Sequence, residues 1–177
     1  MMEINPLFIP AAICATIREI NHNRYQMPNK SGNKAREYFL KGYSCSESVL
    51  ISLAEEWHLP AGVTPRAGSA LGGGVGASGE VCGAITGAAV ALGLYKGRDD
   101  ITDEVGTERK KKLYMTMRKL NKAFTHKFGA VTCRQLIHLD LSDPDQLEIF
   151  KQCGKRKNLC TRFVAFVADW MTENLDY

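Results

Sequence analysis

The stretch Glu80-Val81-Cys82-Gly83-Ala84-Ile85-Thr86-Gly87-Ala88-Ala89-Val90-Ala91-Leu92-Gly93-Leu94 carries no charge after its first residue. Small and apolar residues fall on every face at helical spacing, which predicts a helix buried all round. It is too short and too glycine-rich to read as a membrane span. The rest of the chain must therefore supply the elements that cover it. Gly83, Gly87 and Ala91 recur every four residues and leave a small-residue face. Another backbone can approach such a face closely, either from the same chain or from a second copy in a homodimer. A glycine inside a helix costs about 1 kcal/mol relative to alanine. Close packing, or a cofactor beside Cys82, is a reason to carry several.

No segment alternates as a half-buried strand does, and helical signals recur along the chain. A short helix is expected over residues 34–40, stopped at Gly42 in the C′ position. Ser44-Cys45-Ser46-Glu47 is a capping box. Val49, Leu50, Leu53, Ala54 and Trp57 form the apolar stripe of the helix it starts, which ends before Pro60. Thr64-Pro65 opens another helix. The longest runs over 104–128, with Leu113, Met117, Leu120, Phe124 and Phe128 inward and Gly129 as its stop. Thr132-Cys133-Arg134-Gln135 repeats the capping logic, and Ser142-Asp143-Pro144-Asp145 opens the next helix. A last helix starts near Asn158 and turns Phe163, Val164, Val167, Ala168 and Met171 inward. The fold class expected is all-α: a compact multi-helix bundle around the glycine/alanine-rich central helix. Residues 1–32 read as an N-terminal helical appendage (helix 11–20) and a linker (21–32, with Pro28, Ser31 and Gly32). Residues 33–177 read as one domain.

The chain has 177 residues, 45% hydrophobic and 24% charged, an ordinary composition for a soluble domain. The apolar run from Leu7 to Ile13 follows Glu3 rather than a basic segment, so it does not read as a secretory signal. The setting expected is cytoplasmic and reducing, where cysteines serve metals or redox chemistry before structural disulfides. The net charge of +4 comes largely from Arg109-Lys110-Lys111-Lys112 and Lys155-Arg156-Lys157. Neither run has interleaved aromatics or a nucleic-acid motif, so no nucleic-acid partner is expected. The simpler reading is a solvated helix face and a charged turn.

Six cysteines are the chain's most chemical feature. Cys45, Cys82, Cys133 and Cys160 each fall just inside an expected helix start. Unpaired N–H groups and a partial positive charge favour an anion there, which lowers a thiol's pKa. None belongs to a C-x-x-C pair, so neither a thioredoxin-type pair nor a zinc ribbon is indicated. Any shared site must be assembled by folding. Cys14, on the N-terminal helix, reads as a small buried hydrophobe. Cys153 ends a helix, where the dipole opposes a thiolate. The turn at 72–79 contains Gly74-x-Gly76-x-x-Gly79, but the helix expected before it replaces the strand that a dinucleotide fingerprint requires. Its amides could still face an anion. His22, His58, His126 and His138 lack metal-ligand spacing. Glu80 reads as a carboxylate at a helix start.

Gly42-Tyr43-Ser44-Cys45, then Gly79-Glu80-Val81-Cys82-Gly83-Ala84-Ile85-Thr86-Gly87-Ala88, then Thr132-Cys133-Arg134-Gln135-Leu136 and the late Cys160 together resemble the C_GCAxxG_C_C family of redox-active proteins. The resemblance begins near Asn33 and maps the family's four cysteines onto Cys45, Cys82, Cys133 and Cys160, with Cys153 a rival for the fourth place. A similar domain accompanies split-Soret cytochromes, where an iron–sulfur centre lies beside haem; this chain has no C-x-x-C-H for covalent haem. The resemblance implies four redox thiols that could hold an iron–sulfur cluster, with an electron-transfer partner protein. Gly83 and Gly87 would then make room for the cofactor, and Gly79 with its turn would contact it. Two alternatives stay open. One is a metal-free thiol–disulfide oxidoreductase using a low-pKa Cys82 or Cys45. The other is a structural zinc (Zn) site of four cysteines.

Overall fold

A computed structural model describes residues 29–60, 64–102 and 104–175. The helix expected at 11–20, Cys14, His22 and the linker before residue 29 lie outside the described residues. Eight α-helices follow in order. They are α1 (Lys30–Leu40), α2 (Cys45–Glu56), α3 (Thr64–Gly68), α4 (Gly83–Lys96), α5 (Glu104–Phe128), α6 (Cys133–Ile137), α7 (Pro144–Gln152) and α8 (Thr161–Glu173). Among the described residues there is no strand, only one isolated antiparallel bridge between Val81 and Thr132. The chain is therefore all-α, and no described helix is long and apolar enough to cross a membrane.

Helix α1 packs on α8 and α2; α2 also packs on α4, and α5 docks on α4 and α8. The inward stripes of α2 and α8 are those read from the sequence: Val49, Leu50 and Leu53, and Phe163, Val164, Val167 and Met171, are all buried. Phe124 and Phe128 of α5 close onto Phe163 and Phe166, with ring centroids 4.9 to 6.0 Å apart. Edge-on and tilted contacts of this kind add to the area they bury. The basic residues Arg109, Lys111 and Lys112 lie exposed on α5.

Helices α1 and α4 differ from the sequence reading. Helix α1 starts at Lys30 rather than near Lys34, and Ser31 and Gly32, expected in a linker, are buried in it. The cause lies far along the chain. Asp169 of α8 accepts hydrogen bonds from the amides of Asn29 (2.9 Å) and Gly32 (2.6 Å), so a distant carboxylate caps the helix. Helix α4, for its part, is not buried all round. Its first turns are buried, but Ala89, Gly93 and Leu94 face solvent, and Leu94 is 48% exposed.

Candidate four-cysteine site

The first two cysteines meet where α2 and α4 cross. Cys45 is the first residue of α2, and the capping box that starts the helix is complete. The Ser44 hydroxyl accepts from the Glu47 amide at 3.3 Å, and Glu47 Oε2 accepts from the Ser44 amide at 2.8 Å. Cys82 is the N-cap residue of α4. A methyl group on Gly83 would stand 3.2 Å from Cys45 Cβ, and one on Gly87 would stand 2.8 Å from Ser46 Cα. The small-residue face of α4 is therefore filled by the backbone of α2 within the same chain. Gly83 and Gly87 make room for a helix rather than an open space.

Cys133 reaches Cys82 through the isolated bridge. The Cys82 amide donates to the Val131 carbonyl at 2.8 Å, and the Cys133 amide donates to the Glu80 carbonyl at 2.6 Å. Residues flanking a bridge pair point to the same face, so Cys82 and Cys133 share one side. The Thr132 hydroxyl does not cap α6, as the sequence suggested; it bonds the Gln135 side chain at 2.8 Å, and the Glu80 carbonyl takes the Cys133 amide instead.

Cys160 is not at a free helix start. A π-helical turn over Arg156–Cys160 leads directly into α8, so the helix begins before it. Cys160 sits where the π turn passes into α-helix. Such turns bulge a helix and recur at functional sites.

The four sulfurs feel one another. Burial pushes the Cys82 thiol well above its ordinary range, and Cys45 and Cys133 push it further. Burial also raises Cys160, on which Cys45, Cys82 and Cys133 all act. Cys133 is pushed up to about 12 by burial and by Cys45. Cys45 is raised by burial, against which the Gly73 amide and Arg156 pull. Helix starts were expected to lower these thiols, but desolvation outweighs the helix ends here. The amides of Ala84 and Ile85 still point to the Cys82 sulfur.

The turn at 72–79 touches the site through that Gly73 amide. Residues 73 to 77 all have positive φ, including Val75 (60°) and Ala77 (61°). Hydrogen bonds from Gly76 to Ala70 (2.8 Å) and from Ala77 to Gly72 (3.1 Å) hold this left-handed run. Gly79 serves the scaffold: its carbonyl accepts from the Arg134 amide at 3.0 Å.

The other candidates lie apart. Cys153 caps the C-terminus of α7, its sulfur 4.0 Å from the Phe150 carbonyl. His126 is exposed on α5, and His58 and His138 are left-handed residues that end helices. Glu80 is exposed. Among the described residues, no group of three or more His, Cys, Asp and Glu is arranged to hold a metal ion.

Sequence reasoning missed Lys155 and Arg156, read as part of a charged turn. Lys155 is buried, and its Nζ donates to the Ile137 carbonyl at 2.7 Å, at the end of α6. Arg156 donates through Nη2 to the carbonyls of Phe39 (2.9 Å) and Tyr43 (3.1 Å). Of the three charges, Lys155 is buried, Arg156 half-buried and Lys157 exposed. The available signal was spacing: Arg156 precedes Cys160 by four residues.

A family model described as "Putative redox-active protein (C_GCAxxG_C_C)" matches residues 43–174. No curated protein matches the chain, and no solved structure matches it.

Proposed function

The chain belongs to the C_GCAxxG_C_C family of redox-active proteins, and from that premise we propose that it transfers electrons through an iron–sulfur cluster held by Cys45, Cys82, Cys133 and Cys160. One arrangement supports this reading: Cys45 lies against Gly83, the neighbour of Cys82, the bridge puts Cys133 on the same face as Cys82, and Cys160 is buried where the other three act on it. Thiols so buried give up their protons only to a compensating cation, and an all-sulfur donor set suits iron. A tetrahedral zinc asks its ligands to converge on one point. A multi-iron cluster spreads its ligands over separate metals.

When bound, such a cluster supplies reversible one-electron chemistry. The chain's part is to hold and insulate it. Amides of Gly73, Ala84 and Ile85 donate toward Cys45 and Cys82, and such donors stabilise negative charge on ligand sulfur. The α2–α4 crossing brings Cys45 against Gly83, the neighbour of Cys82, and the bridge puts Cys133 on the same face as Cys82. Metal-free thiol exchange is the second reading: the attacking group there is a thiolate, and burial raises the thiols of Cys82, Cys133 and Cys160.

Purification without oxygen tests the reading. The expected result is a coloured protein with iron and sulfide in near-equal amounts and a paramagnetic signal after reduction. One zinc per chain with no visible absorption would make the site structural. A colourless, metal-free protein that cycles between thiols and disulfides would replace the cluster with exchange chemistry.

A further inference from the structure

Arg156 is held from three sides. Its Nη2 donates to the carbonyls of Phe39 and Tyr43 at 2.9 and 3.1 Å, and its guanidinium carbon lies 4.2 Å from the centroid of the Phe39 ring. A planar guanidinium suits this combination of stacking and paired donation, and a lysine does not. These partners are two neutral carbonyls and a neutral ring. They orient the positive charge without cancelling it. Phe39 lies in the last turn of α1, where the helix dipole favours a cation.

The placement links two parts of the site. Tyr43 stands two residues before Cys45, and Arg156 stands one turn before Cys160. The side chain therefore runs from the helix that carries Cys160 to the segment that leads into Cys45. Its charge acts on both sulfurs in the direction that favours the thiolate.

Resting on the iron–sulfur reading, we infer that Arg156 is a positioning residue with two jobs. It clamps the Cys160 helix to the Cys45 segment, and it supplies a fixed positive charge that favours the reduced state of the site. Uptake of one electron adds one negative charge, unaccompanied by a proton. The electron comes from a reductant, which is oxidised by one electron in turn. A fixed cation stabilises the added charge, and does so more strongly the less water lies between them.

The test separates clamp from charge. In Arg156→Gln the charge is lost, and in Arg156→Lys the charge stays while the stacked, paired geometry is lost. Reconstituted proteins are poised against reduced methyl viologen at one fixed potential. Arg156→Gln is expected to move the reduced-to-oxidised ratio about tenfold toward oxidised, equivalent to about 59 mV for one electron. Arg156→Lys is expected to move it less than about threefold. Hydrogen exchange on the metal-free proteins reads the clamp: the amides of residues 43–47 and 159–161 should exchange about tenfold faster in both variants. Arg156→Met removes the charge while keeping an unbranched side chain over the Phe39 ring; it should shift the ratio the same way as Arg156→Gln and decides the charge role if Arg156→Gln does not fold. An unchanged ratio in a folded, loaded variant overturns the charge role, and unchanged exchange overturns the clamp. A wild-type chain that takes up no cluster sinks the iron–sulfur reading and with it the charge role, while exchange still decides the clamp.

Discussion

Cys82 and Cys133 stand on the same face of one antiparallel bridge, tied by a 2.8 Å bond from the Cys82 amide to Val131 and a 2.6 Å bond from the Cys133 amide to Glu80. Two residues 51 positions apart in the chain are thereby placed without any side chain holding them. Substituting either sulfur should leave the bridge intact and remove only the ligand. Cys82→Ser and Cys133→Ser are expected to lose iron at least about tenfold after anaerobic reconstitution, with helix content unchanged. Cys153→Ser, at the end of α7, should retain iron and colour. Retained iron in Cys82→Ser would remove that residue from the ligand set.

The closeness of α4 to α2 makes Gly87 intolerant of a side chain. A methyl group there would stand 2.8 Å from Ser46 Cα, and that backbone cannot step aside within a packed core. Gly87→Ala gains helix propensity of about 1 kcal/mol but must push the helices apart at the end that carries Cys45 and Cys82. Overpacking should win, with a net loss of about 1–3 kcal/mol in urea unfolding and reduced iron uptake. An unchanged unfolding midpoint would show that the crossing can open.

The bundle was legible in the chain because apolar stripes and caps are local signals. The stripe of α2 and the inward face of α8 stand where their spacing put them, and the Ser44 capping box forms as written. What was illegible depends on distant partners. Nothing near Ser31 announces that Asp169 will cap α1, and nothing near Lys155 announces that it will be buried on the Ile137 carbonyl. The helix-start placement of Cys45, Cys82 and Cys133 was readable, but its consequence was not. The sign of a thiol's shift depends on how much water folding removes, and that is a property of the assembled core. Cys160 was misplaced for another reason: a π turn breaks the 3.6-residue rhythm on which helix boundaries are read.

Val75 occupies a left-handed conformation (φ 60°) at the tip of the 72–79 turn, with 45% of its surface exposed. A β-branched side chain in this region costs about 1–2 kcal/mol, and its exposure means it recovers little by burial. Val75→Gly relieves that strain but adds freedom to the unfolded chain, worth about 0.4–1 kcal/mol in the other direction. The expected balance is a stabilisation of about 0.5–1 kcal/mol, seen as a higher urea midpoint, with iron content unchanged. A lower midpoint would mean that the valine side chain makes contacts that the turn depends on.

The raised thiols also set a pH dependence for the metal-free protein. In the unfolded chain Cys133 ionises near its ordinary value of 9.0, whereas in the fold it keeps its proton up to about 12. Cys45, Cys82 and Cys160 are shifted in the same direction. Below the unfolded value both states hold the proton, and this contribution to stability is complete. As pH rises above it, only the unfolded state releases the proton, so stability falls until the folded value is passed. The slope is about 1.4 kcal/mol per pH unit for each proton held back. Urea midpoints of reduced, metal-free protein should therefore decline from about pH 8.5 upward, and the decline should be shallower in Cys133→Ala. Loading the site should reverse the trend, because thiolates bound to metal no longer release protons on unfolding and instead take them up as the pH falls. Equal slopes for wild type and Cys133→Ala in the alkaline range would show that Cys133 is not held protonated by the fold.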